Sequence, residues 1–246
     1  MHHPELPAGT QVPSTELAEL RDGSVRRFSS HELFDQRRVI LFALPGAFTP
    51  TCSTAHVPGY IARLQDFRDT GIDEIVCLAV NDPYVMDAWR RAEKAGGIRF
   101  VADPFAEFTR AIGMTMNHPE NFLGERSRRY SMLINDGHIE TMFIEADGPG
   151  DPFKVSDAET MWQYWRPNEK GHKTAFMLAR RGCPFCAKAR ALLDEHGIVH
   201  DAVYLGEELS MLGVRAASGE TTLPQVFIEG KLIGGADQLE AYLSDQ

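Results

Sequence analysis

The 246-residue chain contains only four cysteines, no long apolar run, and fewer basic than acidic residues. Each shortage excludes something. A membrane-crossing helix needs about eighteen consecutive apolar residues, and no stretch here approaches that, so no membrane association is expected. Lysine and arginine total 25 against 35 aspartates and glutamates, for a formal net charge of -10. Nucleic-acid binding needs a basic field, so no such partner is expected. The start "MHHPELPAGT" lacks the apolar core of a signal peptide. None of the five asparagines opens an N-x-S/T glycosylation site. Four cysteines in a chain this long do not make a disulfide framework. The chain reads as cytoplasmic, where thiols stay reduced unless they are at work.

The patterning that is present argues for α/β structure in two domains. Asp22-Gly23 and Asp136-Gly137 each separate two strand-like runs, the signature of a tight hairpin. "RRVILFAL" and "EIVCLAV" read as buried strands, and Pro58 to Thr70 carries apolar residues at helical spacing. "NDPYVMDAWRRAEKAG" predicts a helix capped by Asp82 with Pro83 in its first turn. Another helix is expected from Asp157 to Trp165. The polar stretch "RPNEKGHK", residues 166–173, is the best linker. It separates a domain at 1–165 from a smaller one at 174–246. The latter reads as strand, helix Pro184 to His196, strand, helix Glu208 to Ala217, two strands across Gly230, and a last helix from Asp237.

Two places concentrate chemistry. The first is "PGAFTPTCS", directly after the strand ending at Leu44. Pro50 suits the opening of a helix, which puts Cys52 in a first turn, where unpaired backbone N–H groups favour an anion. Thr49, three residues earlier, is within reach of the thiol. A free cysteine is most often a small buried residue, and Cys77 inside "EIVCLAV" fits that role. The polar, proline-fixed setting of Cys52 does not.

Pro45, Thr49 and Cys52 match the peroxidatic-cysteine signature P-x-x-x-T-x-x-C. With "CLAVNDPYVMDAW" and "RRYSMLINDG", residues 10 to 165 resemble the peroxiredoxin-5 subfamily of the peroxiredoxins. The resemblance implies that Cys52 attacks peroxide in a pocket shaped by Pro45, Thr49 and Arg129, with Arg128 and Arg126 ranked below Arg129. Two-cysteine members carry a resolving cysteine late in this domain. Residues 147–165 contain none here, so oxidised Cys52 needs a thiol from elsewhere.

The second place is "CPFC", Cys183 to Cys186, at the start of a helix after the strand "KTAFMLA". This is the thioredoxin-like redox arrangement, with the dipole and the nearby Arg180 and Arg181 favouring a Cys183 thiolate. Cys183, Cys186, His196 and His200 also form a zinc-finger-like spacing, but nine residues separate Cys186 from His196 where a finger has about twelve. Gly197 also breaks the helix between the histidines, so no metal is expected. "GCPFCAKA" and "TTLPQVFIEGKLIGGADQL" together resemble a glutaredoxin over residues 172 to 246. That resemblance implies a cis-proline loop at Leu223-Pro224 pairing with the cysteinyl part of glutathione. It also implies a γ-glutamyl site at Gly235, Ala236 and Asp237, and Arg180 at the glycyl carboxylate. Phe185 stands where many members have tyrosine.

Nearly the whole chain is thus similar to the bacterial hybrid peroxiredoxin–glutaredoxin enzymes. The resemblance implies two thioredoxin-like domains, each a central mixed sheet flanked by helices. It further implies peroxide reduction with glutathione as co-substrate, no other cofactor, and a homo-oligomer, dimer or tetramer. Redox sensing or protein deglutathionylation would use the same residues and is separated by turnover assays. Pro184, after Cys183, argues against an iron–sulfur cluster.

Overall fold

The structure, a computed structural model, describes residues 6–117, 119, 122–146, 151–169 and 171–244. The start of the N-terminal segment, part of the 147–165 stretch and Lys170 of the linker fall outside the described residues. The chain divides into two compact units, Met1–Glu169 and Lys170–Gln246.

The first unit opens with β1 (Glu16–Arg21) and β2 (Ser24–Ser29), paired across Asp22-Gly23. Both turn residues have positive φ, as a two-residue hairpin turn requires. Then come α1 (His31–Phe34), β3 (Arg38–Ala43), α2 (Val57–Ala62), α3 (Leu64–Asp69), β4 (Glu74–Ala79), α4 (Pro83–Ala92), β5 (Arg99–Ala102) and α5 (Glu107–Ala111). The short pair β6 (Thr115–Asn117) and β7 (Glu125–Ser127) leads to β8 (Tyr130–Asn135), β9 (His138–Ile144) and α6 (Ala158–Trp165). Seven strands form one sheet in the order β2-β1-β5-β4-β3-β8-β9. β3, β4 and β5 are parallel at its centre, and an antiparallel hairpin flanks each side.

β3 is apolar at nearly every position because both its faces are covered. Ile40 and Phe42 point into the cluster that holds Cys52, Tyr60, Trp89 and Trp162. Val39, Leu41 and Ala43 face the opposite layer with Phe34 and Phe108. Phe42 stacks on Tyr60 with centroids 4.2 Å apart. Asp82 caps α4 by accepting from the N–H groups of Tyr84 and Val85, worth about 1 kcal/mol.

The helix after β3 differs from the 58–70 expectation. It begins at Pro50 and Thr51 and continues as a π-turn over Cys52–His56. The N–H of Val57 reaches back to the Cys52 carbonyl, and Pro58 then opens α2, where a missing N–H is tolerated. Arg63 interrupts the run before α3. Prolines at 45, 50 and 58 mask this in the apolar pattern.

The second unit contains β10 (Thr174–Ala179), α7 (Pro184–Glu195), β11 (Val199–Tyr204), α8 (Met211–Ser218), β12 (Gln225–Ile228), β13 (Lys231–Gly234) and α9 (Ala236–Ser244). The sheet order is β11-β10-β12-β13, with β10 and β11 parallel and the other pairs antiparallel. Met177, Leu193, Val226 and Leu239 fill its core. α8 starts three residues later than expected, because Ser210 caps it through the Gly213 N–H while Leu209 is tied back to Tyr204.

Residues 166–169 of the linker stretch belong to the first unit. Arg166 stacks on Trp165 and donates to the Thr70 carbonyl, and Trp162 donates to the Glu169 carbonyl. Lys173 lies over the Tyr242 ring of the second unit.

Candidate active site

Cys52 lies beyond the carboxyl end of β3, the edge of a parallel sheet where binding crevices form. The turn from Leu44 to Thr51 is held by β4's continuation. Asn81 accepts from the Ala47 N–H at 3.0 Å, and a side chain at Gly46 would press on that amide oxygen at 3.3 Å. Phe48 adopts a positive φ of 62° and is exposed. Pro45 is buried. The Thr49 hydroxyl donates to the Gly46 carbonyl at 2.9 Å, so its proton braces the turn rather than serving the thiol. Ser53, beside Cys52, accepts from Trp89 Nε1 of α4 at 2.9 Å.

The Cys52 thiol is fully buried and faces Arg129, whose Nη1 lies 3.4 Å from Sγ. The same nitrogen is 3.2 Å from His56 Nδ1. The other ring nitrogen of His56, Nε2, lies 3.1 Å from the Ser156 carbonyl, which can only accept. Nε2 therefore carries the proton, and Nδ1 accepts from Arg129. Burial, reinforced by the Arg129 charge and opposed by the Ser156 bond, lowers the His56 pKa to about 3. Arg129 Nη2 is chelated by both oxygens of Asp151, at 2.6 and 2.5 Å. Of the neighbouring arginines, Arg128 donates to the Glu145 carbonyl and Arg126 to the Val80 carbonyl.

Glu145 organises the segment over this site. One of its oxygens accepts the N–H groups of Lys154, Val155 and Ser156 and the Ser156 hydroxyl, all within 2.8 to 2.9 Å. Burial pushes this carboxyl up, but the four donors outweigh it and hold its pKa below the ordinary range. The Ser156 carbonyl that results from this arrangement serves both His56 and the Tyr60 hydroxyl.

In the second unit, Cys183 is the N-cap of α7, with Pro184 next, and it is partly exposed while Cys186 is buried. Burial pushes the Cys183 thiol up. Backbone N–H groups of Cys186 and Phe185, the Cys186 side chain and the Arg180 charge outweigh that and leave its pKa lowered. Burial and the neighbouring Cys183 push Cys186 up to about 11, against a 3.4 Å bond from the Arg180 N–H. Arg181, which the sequence also sets beside Cys183, lines the same cavity but pairs with Glu207 and stacks on Tyr204.

Leu223-Pro224 is cis. A cavity of about 430 Å³ is lined by Arg180, Arg181, Gly182, Cys183, Pro184, Thr221, Thr222 and Leu223. Phe185 is exposed beside it. Gly235 precedes α9, in which the Leu239 N–H bonds back to the Gly235 carbonyl, so the N–H groups of Ala236 and Asp237 come before the first intrahelical bond. The Asp237 carboxylate pairs with Lys188 at 2.9 Å. His196 and His200 meet the Leu192 and Ile198 carbonyls, and among the described residues no three His, Cys, Asp or Glu side chains converge.

Comparison with known proteins bears on both units. A redoxin family model matches residues 7–161, and a glutaredoxin model matches 174–233. The hybrid peroxiredoxin hyPrx5 of Haemophilus influenzae is 45% identical over 236 residues, covering 96% of this chain and 98% of its own. The chain belongs to the hybrid peroxiredoxin–glutaredoxin family.

Two further peroxiredoxins match the first unit. Peroxiredoxin-2B of Arabidopsis thaliana is 39% identical over 63% of this chain and 91% of its own. The crystal structure of reduced Prx3 in complex with H2O2 from Vibrio vulnificus superposes with a TM-score of 0.62, at 41% identity over 65% of this chain and 99% of that one. The chain is thus an α/β oxidoreductase of the thiol-peroxidase type with a fused glutaredoxin domain, and no described helix is long and apolar enough to cross a membrane. Sequence reasoning missed three residues around its peroxiredoxin site: His56, Glu145 and Asp151. His56 was the accessible one, since it follows Cys52 by four residues on one helical stretch. Nothing in local spacing joins Glu145 or Asp151 to Arg129.

Proposed function

We propose that the chain reduces hydrogen peroxide and organic hydroperoxides with glutathione, using Cys52 as peroxidatic nucleophile and Cys183 as the thiol that recycles it. The observation that carries the reading is the buried Cys52 thiol against the Nη1 donor of Arg129, in a unit whose other thiol, Cys77, is packed inside β4. Cys77 in β4 is buried, and that burial pushes its pKa well above the ordinary thiol range and disfavours a thiolate.

The Cys52 thiolate takes the terminal oxygen of the hydroperoxide as the O–O bond breaks, and the leaving alkoxide or hydroxide takes a proton. Arg129 stabilises the charge on that departing oxygen. Glutathione condenses with the sulfenic acid, forming a mixed disulfide and releasing water. The Cys183 thiolate then attacks the glutathione sulfur, freeing Cys52. A second glutathione displaces Cys183 and leaves as glutathione disulfide.

In the bound state, Arg180 would meet a glycyl carboxylate, and the N–H groups of Ala236 and Asp237 at the start of α9 would meet a γ-glutamyl carboxylate. Leu223 and Pro224 would pair with the cysteinyl backbone. The high pKa of Cys186 favours a cycle that uses Cys183 alone.

A glutathione-coupled assay tests this. Cys52→Ser is expected to abolish peroxide consumption with any reductant. Cys183→Ser should consume one equivalent of peroxide and then stall with glutathione, and Cys186→Ser should keep turning over. Equal failure of Cys183→Ser and Cys186→Ser would put an internal disulfide on the pathway and overturn the single-thiol route.

A further inference from the structure

The hydrogen bonds of Arg129 are divided unevenly between its two ends. Nη1 serves the thiol and His56, at 3.4 and 3.2 Å. Nη2 is committed to both oxygens of Asp151. Nε is buried with no hydrogen-bond partner among the described residues. The Arg129 side chain is 2% exposed, whereas that of Asp151 is 40% exposed. A buried cation therefore carries a carboxylate on its solvent side and the reacting sulfur on the other. One guanidinium spans the two, well inside the roughly 8–10 Å over which salt screens charges.

This arrangement has a consequence for what the thiol can attack. The positive charge that would draw an anion to the sulfur is already neutralised by Asp151. An anionic oxidant must also displace or share that carboxylate to gain the Nη2 donors. A neutral hydroperoxide meets neither obstacle and needs only the Nη1 donor. We propose that Asp151 makes the Cys52 site select neutral hydroperoxides over anionic oxidants. The proposal rests on the peroxidase reading above and adds the charge class of the substrate.

The chemistry at sulfur is the same for both classes. With hydrogen peroxide, the thiolate gains a hydroxyl and hydroxide leaves to be protonated. With peroxymonosulfate, the thiolate gains a hydroxyl and sulfate leaves. Intrinsic reactivity differs between the two, so the comparison must be made between protein variants and not between oxidants.

The test uses the full chain with Cys183→Ser and Cys186→Ser, so that Cys52 alone reports. Second-order rate constants for hydrogen peroxide and for peroxymonosulfate are followed at pH 7 by stopped-flow tryptophan fluorescence. The ratio of the anionic to the neutral rate constant cancels any common loss from a less firmly held Arg129. Asp151→Asn, with Asp151→Ser as a second neutral replacement, is expected to raise that ratio about tenfold. Asp151→Glu, which keeps the charge, should leave it within about twofold of the parent. An unchanged ratio in both neutral variants, with hydrogen peroxide still consumed, overturns charge selection and leaves the peroxidase reading standing. A parent protein that consumes no hydrogen peroxide overturns the peroxidase reading, and this proposal with it.

Discussion

His56 holds the Arg129 guanidinium without competing for its charge, because burial and that same charge keep the ring neutral. An uncharged acceptor at Nδ1 can orient Nη1 toward Cys52, whereas an imidazolium would repel it. Arg129→Lys keeps the charge but loses the planar fork that lets one side chain reach Cys52, His56 and Asp151 together. The peroxide rate constant should fall by about tenfold to a hundredfold, less than the ~10²–10³-fold cost of deleting a donor outright. Stopped-flow oxidation of Cys52 reads this directly, and the same loss in Arg128→Lys with none in Arg129→Lys would mean the wrong arginine was assigned. The two thiols of "CPFC" should also separate by pH. Cys183, lowered, should alkylate with iodoacetamide below the ordinary thiol range, while Cys186, near 11, should resist until strongly alkaline solution. Mass-spectrometric labelling across pH 5 to about 11 checks the order.

The segment from Asp151 to Ser156 has no regular structure, yet three consecutive N–H groups at its end converge on one carboxylate. Glu145 gathers its N–H groups, and the segment returns a carbonyl to His56 and a carboxylate to Arg129. Glu145→Gln should cost about 1–3 kcal/mol of stability, since buried donors lose a charged acceptor. It should also slow peroxide attack without touching the thiol itself. Both His56 and Glu145 have lowered folded pKa values, so the stability each contributes is complete above its unfolded value and is lost as pH falls through the folded one. Urea midpoints should therefore decline from about pH 6.5 downward, and His56→Gln should be less stable at neutral pH but show a shallower acid limb. Tryptophan fluorescence isolates the effect, because Trp89, Trp162 and Trp165 all lie in the first unit.

The connection between the two units is shorter than residues 166–173 suggest, since 166–169 pack on the first and Lys173 on the second. Even fully extended, so few residues reach no more than about 15 Å, less than the width of either domain. A connection this short restricts which thiols one chain can bring together, and we propose that Cys183 serves the Cys52 of a neighbouring subunit in a homo-oligomer. Tethering gives millimolar-scale local concentration where geometry allows contact and none where it does not. Mixing Cys52→Ser and Cys183→Ser proteins should then restore glutathione-dependent turnover as subunits exchange, independent of dilution while the oligomer persists. No recovery in mixed oligomers seen by native mass spectrometry would mean each chain serves itself.

Both hairpins, the apolar central strands and the Asp82 cap were legible in the sequence because each is set by neighbours a few residues apart. So were Cys52 at a helix start and Cys183 at another, since proline placement and C-x-x-C spacing are local signals. The π-turn was not, because the prolines hide its periodicity and its widened bond pattern depends on packing. Arg181 turning to Glu207 was likewise decided by a partner the local pattern does not show. Arg129 entered through the family resemblance, but what holds it against the thiol was decided by the tertiary structure alone. Glu145 and Asp151 lie more than ninety residues from Cys52 in sequence, and folding joins them with His56 and Arg129 in one chain of hydrogen bonds. A buried charge must be met by partners wherever the fold can supply them, and that requirement acts through space and leaves no spacing to read.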